Sequence, residues 1–268
     1  MTSTGMYLLS PKTLIYRSHH HRKLLYLSSI RGYRTLCLSF PRYRPRSRFA
    51  HNSAPKTEDA FHAALSSNKQ WRESTAQAKP DLFPTLAKGQ APQILWLGCS
   101  DSRCPETTLL GLQPGDVFVH RNIANIFTPT DLSTQAVLAF AVGALKVNQI
   151  VVCGHTSCGG VAATLGGDSK GGILDAWLSP LRRLRAQLTP TWEKENTSAE
   201  GRSRQLIEEN VRAGLRTVRE NAIVIEAIKS GLKVHGVVYD VGSGQIDELD
   251  SGEKEEEAGT REGVFSLK

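Results

Sequence analysis

Apolar residues in this chain alternate between two patterns. Three short runs are apolar without interruption: Ile94-Leu95-Trp96-Leu97, Val117-Phe118-Val119 and Ile150-Val151-Val152-Cys153. A fourth, from Leu232 to Tyr239, is apolar at most positions. Such runs predict strands buried on both faces, placed near 93–98, 116–120, 149–153 and 232–239. Between them apolar residues recur at helical spacing. Val137, Phe140, Ala141, Ala144 and Leu145 mark a helix from Asp131 to about Leu145. Trp177, Leu181, Leu184 and Leu188 mark another, disturbed at Pro180 and expected to stop at Pro190. Val211, Leu215, Val218, Ala222 and Ile225 line one long helix over 205–229, with Gly231 at its end. Ahead of all these, Thr57-Glu58-Asp59 can cap a helix reaching about Gln77. Gly242-Ser243-Gly244 turns into a short edge strand near 245–249. The alternation predicts an α/β fold: a central, mainly parallel sheet flanked by helices, with an antiparallel edge strand.

Charge divides the chain into unequal parts. Residues 1–50 hold ten Lys/Arg and no Asp or Glu, so the overall +7 leaves −3 for residues 51–268. The basic character therefore belongs to an amino-terminal arm and does not argue for nucleic-acid binding by the folded part. The arm is rich in Arg and Ser and free of acids, as mitochondrial transit peptides are. Arg46-Ser47-Arg48-Phe49-Ala50 is its processing neighbourhood. The expected organisation is a transit peptide at 1–50, one domain at 51–250 and a flexible acidic tail at 251–268. That places the protein in the mitochondrial matrix. No stretch approaches the 18 or so apolar residues of a membrane span, so no membrane insertion is expected. Five cysteines, one of them Cys37 in the arm, lack the density of a disulfide scaffold and suit a reduced compartment.

Two strand ends carry the chemistry. The run at 149–153 leads into Gly154-His155-Thr156-Ser157-Cys158-Gly159-Gly160, and the run at 93–98 leads into Cys99-Ser100-Asp101-Ser102-Arg103. In parallel sheets, sites collect at the carboxyl ends of strands. Imidazole and thiolate are preferred zinc donors, and three protein ligands leave a fourth position open for catalysis. Cys99, His155 and Cys158 make such a set. A structural site would need a fourth ligand, for which Cys104, Cys153 and Asp101 are the candidates. Cys153 lies inside its strand and is expected to pack as a small hydrophobe. Asp101 and Arg103 can pair, which favours an ionised carboxylate in a fixed orientation. The bland alternatives are a packed histidine beside an inert cysteine, and an ordinary loop ion pair.

Both clusters resemble the two signatures of the β-class carbonic anhydrases, and Gly115 to Asn125 resembles the segment between them. The similarity runs from about Gln90 to Gly160, then more weakly to about Asp240. It implies a zinc hydro-lyase interconverting carbon dioxide and bicarbonate, with one Zn2+ per chain. It implies Cys99, His155 and Cys158 as metal ligands, and Asp101 with Arg103 as the catalytic dyad. Gln90 matches the substrate-binding glutamine, and Phe118, Ile123 and Phe140 match the apolar pocket. Some relatives have tyrosine at the position of Phe140. Trp96, Arg121 and Tyr239 resemble a second, inhibitory bicarbonate site found in a subset, although Cys104 stands where that subset usually has valine. The resemblance also implies an obligate homodimer or a dimer of dimers, with pockets at the interface. Two thiolates reduce the Lewis acidity of the metal, so Asp101 is needed as acceptor for the proton of the attacking hydroxide. Carbon disulfide hydrolysis in the same fold, or a non-catalytic zinc protein sensing bicarbonate, are the rival expectations. A cytidine-deaminase-type site is excluded, since its His-x-Glu and Pro-Cys-x-x-Cys are missing.

Overall fold

The computed structural model describes residues 59–167 and 171–249, a tail helix, and three short strands in the arm. Those strands, β1 (Tyr7–Ser10), β2 (Thr13–Tyr16) and β3 (Leu25–Ser28), pair antiparallel in chain order as a unit of their own. The processing neighbourhood at 46–50 and the loop positions 168–170 lie outside the described residues.

Helix α1 (Ala60–Ala78) begins where expected, with the Asp59 carboxylate accepting from the Phe61 and His62 amides. Pro84 does not prevent a short α2 (Leu82–Leu86), because proline is tolerated in a first turn. The apolar runs then become strands: β4 (Ile94–Cys99), β5 (Val117–Asn122), β6 (Gln149–His155) and β7 (Lys233–Tyr239). A one-turn α3 (Glu106–Leu109) lies between the first two. With β8 (Ile246–Glu248) they form one sheet in the order β5-β4-β6-β7-β8, parallel except for the β7–β8 edge pair. Register sets Cys99 beside Asn122 and His155 beside Tyr239, all at carboxyl ends.

The helical readings need three corrections. The helix from Asp131 is α-helical only as α4 (Leu132–Leu138) and continues as a π-helix over Ala139–Ala144, closed by the Leu145 amide on the Phe140 carbonyl at 3.0 Å. Pro190 does not stop its helix. After α6 (Gly172–Trp177) and a break before Pro180, α7 (Ser179–Lys194) runs through Pro190, its last turn held by buried Trp192, whose indole donates to Gln205 Oε1 at 2.6 Å. The single long helix is two, α8 (Ala199–Arg219) and α9 (Ala222–Lys229). Asn221 makes the division: its side chain accepts from the Ile223 and Val224 amides as an N-cap. A further helix, α5 (Gly159–Gly166), follows Cys158, and α10 (Glu255–Phe265) lies in the tail.

Strand alternation sorts the core into two layers. Leu95, Leu97 and Cys99 join Val152, Cys158, Val211 and Leu215 in the large core beneath α8. Trp96 faces the other way, with Cys104, Cys153, Val237 and Tyr239. Helix α8 crosses β6 closely at Gly154, where an added Cβ would stand 2.8 Å from Val211 Cγ2. Among the described residues, no helix is long and apolar enough to cross a membrane.

Candidate metal centre

Two adjacent strands end side by side, and their ligand-type side chains converge. The ligand atoms of Cys99, His155 and Cys158 all lie within 4.8 Å of one another, and all three residues are buried. Cys99 closes β4, His155 closes β6, and Cys158 is the residue from which α5 starts. The intervening Ser157 adopts a left-handed φ of 57°, turning the chain sharply enough to bring Cys158 back to His155.

The histidine is oriented for coordination. His155 is 1% exposed. Its Nδ1 lies 2.9 Å from the Thr156 carbonyl, which fixes the proton on Nδ1 and turns the lone pair of Nε2 inward. Nε2 is buried and has no hydrogen-bond partner. An orphaned imidazole nitrogen facing two thiols is a donor set a soft divalent ion satisfies. Burial alone would lower the His155 pKa, but without a metal the thiols of Cys104 and Cys99 outweigh it and carry it to about 10, so a second proton competes with a metal for the Nε2 lone pair. Cys99 is drawn down to about 4, chiefly by a hydrogen bond from Cys158, and the same contact pushes Cys158 up. Cys153 behaves as a packed hydrophobe: burial raises its thiol, which donates to the Gly154 carbonyl at 3.1 Å.

Asp101 and Arg103 form a bidentate pair. Arg103 Nε lies 2.9 Å from Oδ1 and Nη2 2.8 Å from Oδ2, and the Arg103 amide donates to Oδ1 at 3.0 Å. These bonds hold the Asp101 carboxyl well below the usual carboxylate range. Arg103 Nη2 also reaches the Ser157 carbonyl at 3.1 Å, tying the two ligand-bearing loops together. Asp101 Oδ2 is 4.0 Å from His155 Nε2, so an ionised oxygen faces the donor cluster.

The remaining predicted residues fall into separate groups. The rings of Phe118 and Phe140 sit 5.7 Å apart, tilted by 34°. Ile123 and Phe140 are both 48% exposed, and Gln90 is exposed. Trp96 and Tyr239 pack together in the smaller core layer. Arg121 points back to the loop after β4, with Nε 2.7 Å from the Cys99 carbonyl and Nη2 2.5 Å from the Asp101 carbonyl. Cys104, weighed as a fourth ligand, lies outside the three-residue cluster but its thiol interacts with His155. Two contributors escaped the sequence reading: the Ser157 carbonyl and Glu106, whose Oε2 is 3.6 Å from Arg121 Nη1. Only Pro105, which suits the start of a helical turn, hinted that Glu106 would fold back.

Known proteins share this sequence and fold. The carbonic anhydrase family model matches residues 94–246. A carbonic anhydrase of Candida albicans is 38% identical over 205 residues, which are 75% of this chain and 73% of that one. The crystal structure of the β-carbonic anhydrase CafA of Aspergillus fumigatus superposes with a TM-score of 0.75 at 53% identity, covering 78% of this chain and all (100%) of that one. One of two tetrameric β-carbonic anhydrases from Sordaria macrospora gives 0.68 at 53% identity, covering 70% and 96%. With its strand ends, thiol pair and imidazole in that arrangement, the chain belongs to the β-class carbonic anhydrases.

Proposed function

We propose that the protein catalyses the reversible hydration of carbon dioxide to bicarbonate and a proton, with one Zn2+ per chain held by Cys99, His155 and Cys158. The observation that carries this reading is the buried, unpartnered Nε2 of His155, which faces two thiols and has an ionised Asp101 oxygen 4.0 Å away. When bound, the metal supplies Lewis acidity that lowers the pKa of water from about 15.7 to near 7. The residues around it do the rest. Asp101 Oδ2 accepts the hydrogen of the attacking hydroxyl and so aims its lone pair. Arg103 keeps that carboxylate ionised and stationary through two bonds. Phe118, Ile123 and Phe140 form a dry wall suited to a small nonpolar substrate, and Gln90 donates to a substrate oxygen. Phenylalanine at 140 leaves the wall without a phenolic donor.

Half-exposed Ile123 and Phe140 suit a pocket completed by a second copy, so the working unit is a homodimer or a dimer of dimers. The tetrameric Sordaria proteins support this. Trp96, Arg121 and Tyr239 are proposed as an inhibitory bicarbonate site, supported by the shared packing of the two aromatic residues. Residues 1–50 are proposed as a mitochondrial transit peptide and 51–250 as the catalytic domain, followed by the acidic tail. An Arabidopsis thaliana relative, 30% identical, is named "Beta carbonic anhydrase 6, mitochondrial". Stopped-flow hydration by wild type and Cys158→Ser tests the central reading: the variant should lose both metal and activity, and equal rates in the two would sink the zinc assignment.

A further inference from the structure

Glu106 is a partly buried acid that neither the metal cluster nor the dyad accounts for. Its side chain is only 13% exposed, and Arg121 Nη1 lies 3.6 Å from its Oε2. Oε1 accepts from Thr107 Oγ1 at 3.1 Å, whereas Oε2 is buried without a hydrogen bond. An acidic oxygen left so costs stability, and its position calls for a compensating use. The other two nitrogens of the same guanidinium show that use. Nε holds the carbonyl of Cys99 and Nη2 holds the carbonyl of Asp101. One side chain therefore grips the backbone of a metal-ligand residue and of the dyad acid together. A guanidinium has a planar, fixed fork of donors, so fixing one edge fixes the direction of the others.

We propose that Glu106 is a positioning residue that acts through Arg121 to set the Cys99–Asp101 backbone, and with it the aim of the Cys99 sulfur and the Asp101 carboxylate. The chain of contact runs from α3 to the edge strand β5 and across to the end of β4. Glu106 touches no reacting group. This inference rests on the hydration reading for its kinetic consequence, but not for its effect on metal retention.

The test uses full-length zinc-loaded protein. Glu106→Gln keeps the shape and the acceptor for Thr107 and removes the charge. Arg121→Lys keeps the charge but cannot reach both carbonyls, and reads the same tether from its other end. Each should lower kcat about 10-fold or more with little change in KM, since misplacement near 1 Å costs up to about 100-fold. Each should also release zinc to a chromogenic chelator several-fold faster than wild type. The double variant should be no worse than the poorer single variant, as coupled residues are non-additive. A residue serving stability alone would lower the melting temperature while leaving kcat and zinc release unchanged. Wild-type zinc release by Glu106→Gln, or effects that multiply in the double variant, would overturn the proposal. The release comparison needs no turnover, so it separates failure of this inference from failure of the hydration reading.

Discussion

The two glycines after Cys158 look interchangeable in sequence and should respond oppositely to one methyl group. A Cβ built on Gly160 would lie 2.6 Å from the Cβ of Ala124 and 3.3 Å from Leu178 Cδ2. Carbon atoms pack at about 3.5–4.0 Å, so Gly160→Ala must separate the two segments by about 1 Å. Ala124 cannot retreat freely, because it holds a left-handed φ of 60° and its carbonyl is tied to the buried Asn210 side chain at 2.9 Å. The displacement passes instead into α5, and Cys158 is the residue directly before that helix. Overpacking of this size costs about 1–3 kcal/mol, or roughly 2–12 °C in melting temperature for a domain of this length. Hydration should fall further than stability, by up to about 100-fold, because a ligand moves. Gly159 has nothing within 4 Å of its added Cβ. Gly159→Ala should therefore be neutral or stabilising by up to about 1 kcal/mol. Thermal melts and stopped-flow rates of the two variants decide the matter. A Gly160→Ala protein as stable and active as wild type, or a Gly159→Ala protein that is the worse of the two, would refute the packing argument.

Three further outcomes follow from the same geometry. Arg103→Lys cannot span both Asp101 oxygens and reach Ser157, so kcat should fall about 100-fold. Because pairing holds the folded carboxyl below its ordinary 3.8, the stability wild type gains over this variant should be full above about pH 5 and close as pH falls below about 4, read by acid denaturation. Trp96→Phe should relieve bicarbonate inhibition without opening the core, and a wild type whose hydration rate ignores added bicarbonate would end the second-site proposal. A reporter fused to residues 1–50 should enter mitochondria, and one that stays cytosolic would overturn the localisation.

The strands and the site were legible for one reason: buried parallel strands are written as unbroken apolar runs, and their chemistry stands immediately after them. Ile94 to Leu97 announced Cys99, and Ile150 to Cys153 announced His155. The helices were legible only where packing and local chemistry agreed. At Asn221 the apolar spacing of Val218, Ala222 and Ile225 runs straight across a break that the asparagine side chain creates. At Pro190 the local rule predicts an end, but burial of Trp192 on the far side holds the last turn. Helix α5 was hidden by its glycines, whose helix propensity is poor. Glu106 was hidden differently: its role depends on a partner on another strand, and no spacing within one segment encodes that.

Zinc content and carbon dioxide hydration measured together on purified residues 51–268, from about pH 6.5 to 9, test the central claim most directly. The arrangement of Cys99, His155, Cys158 and Asp101 predicts about one zinc per chain and a rate that rises with pH as water ionises near neutrality. Hydration by zinc-free protein, or a full zinc complement without hydration at any of these pH values, would contradict it.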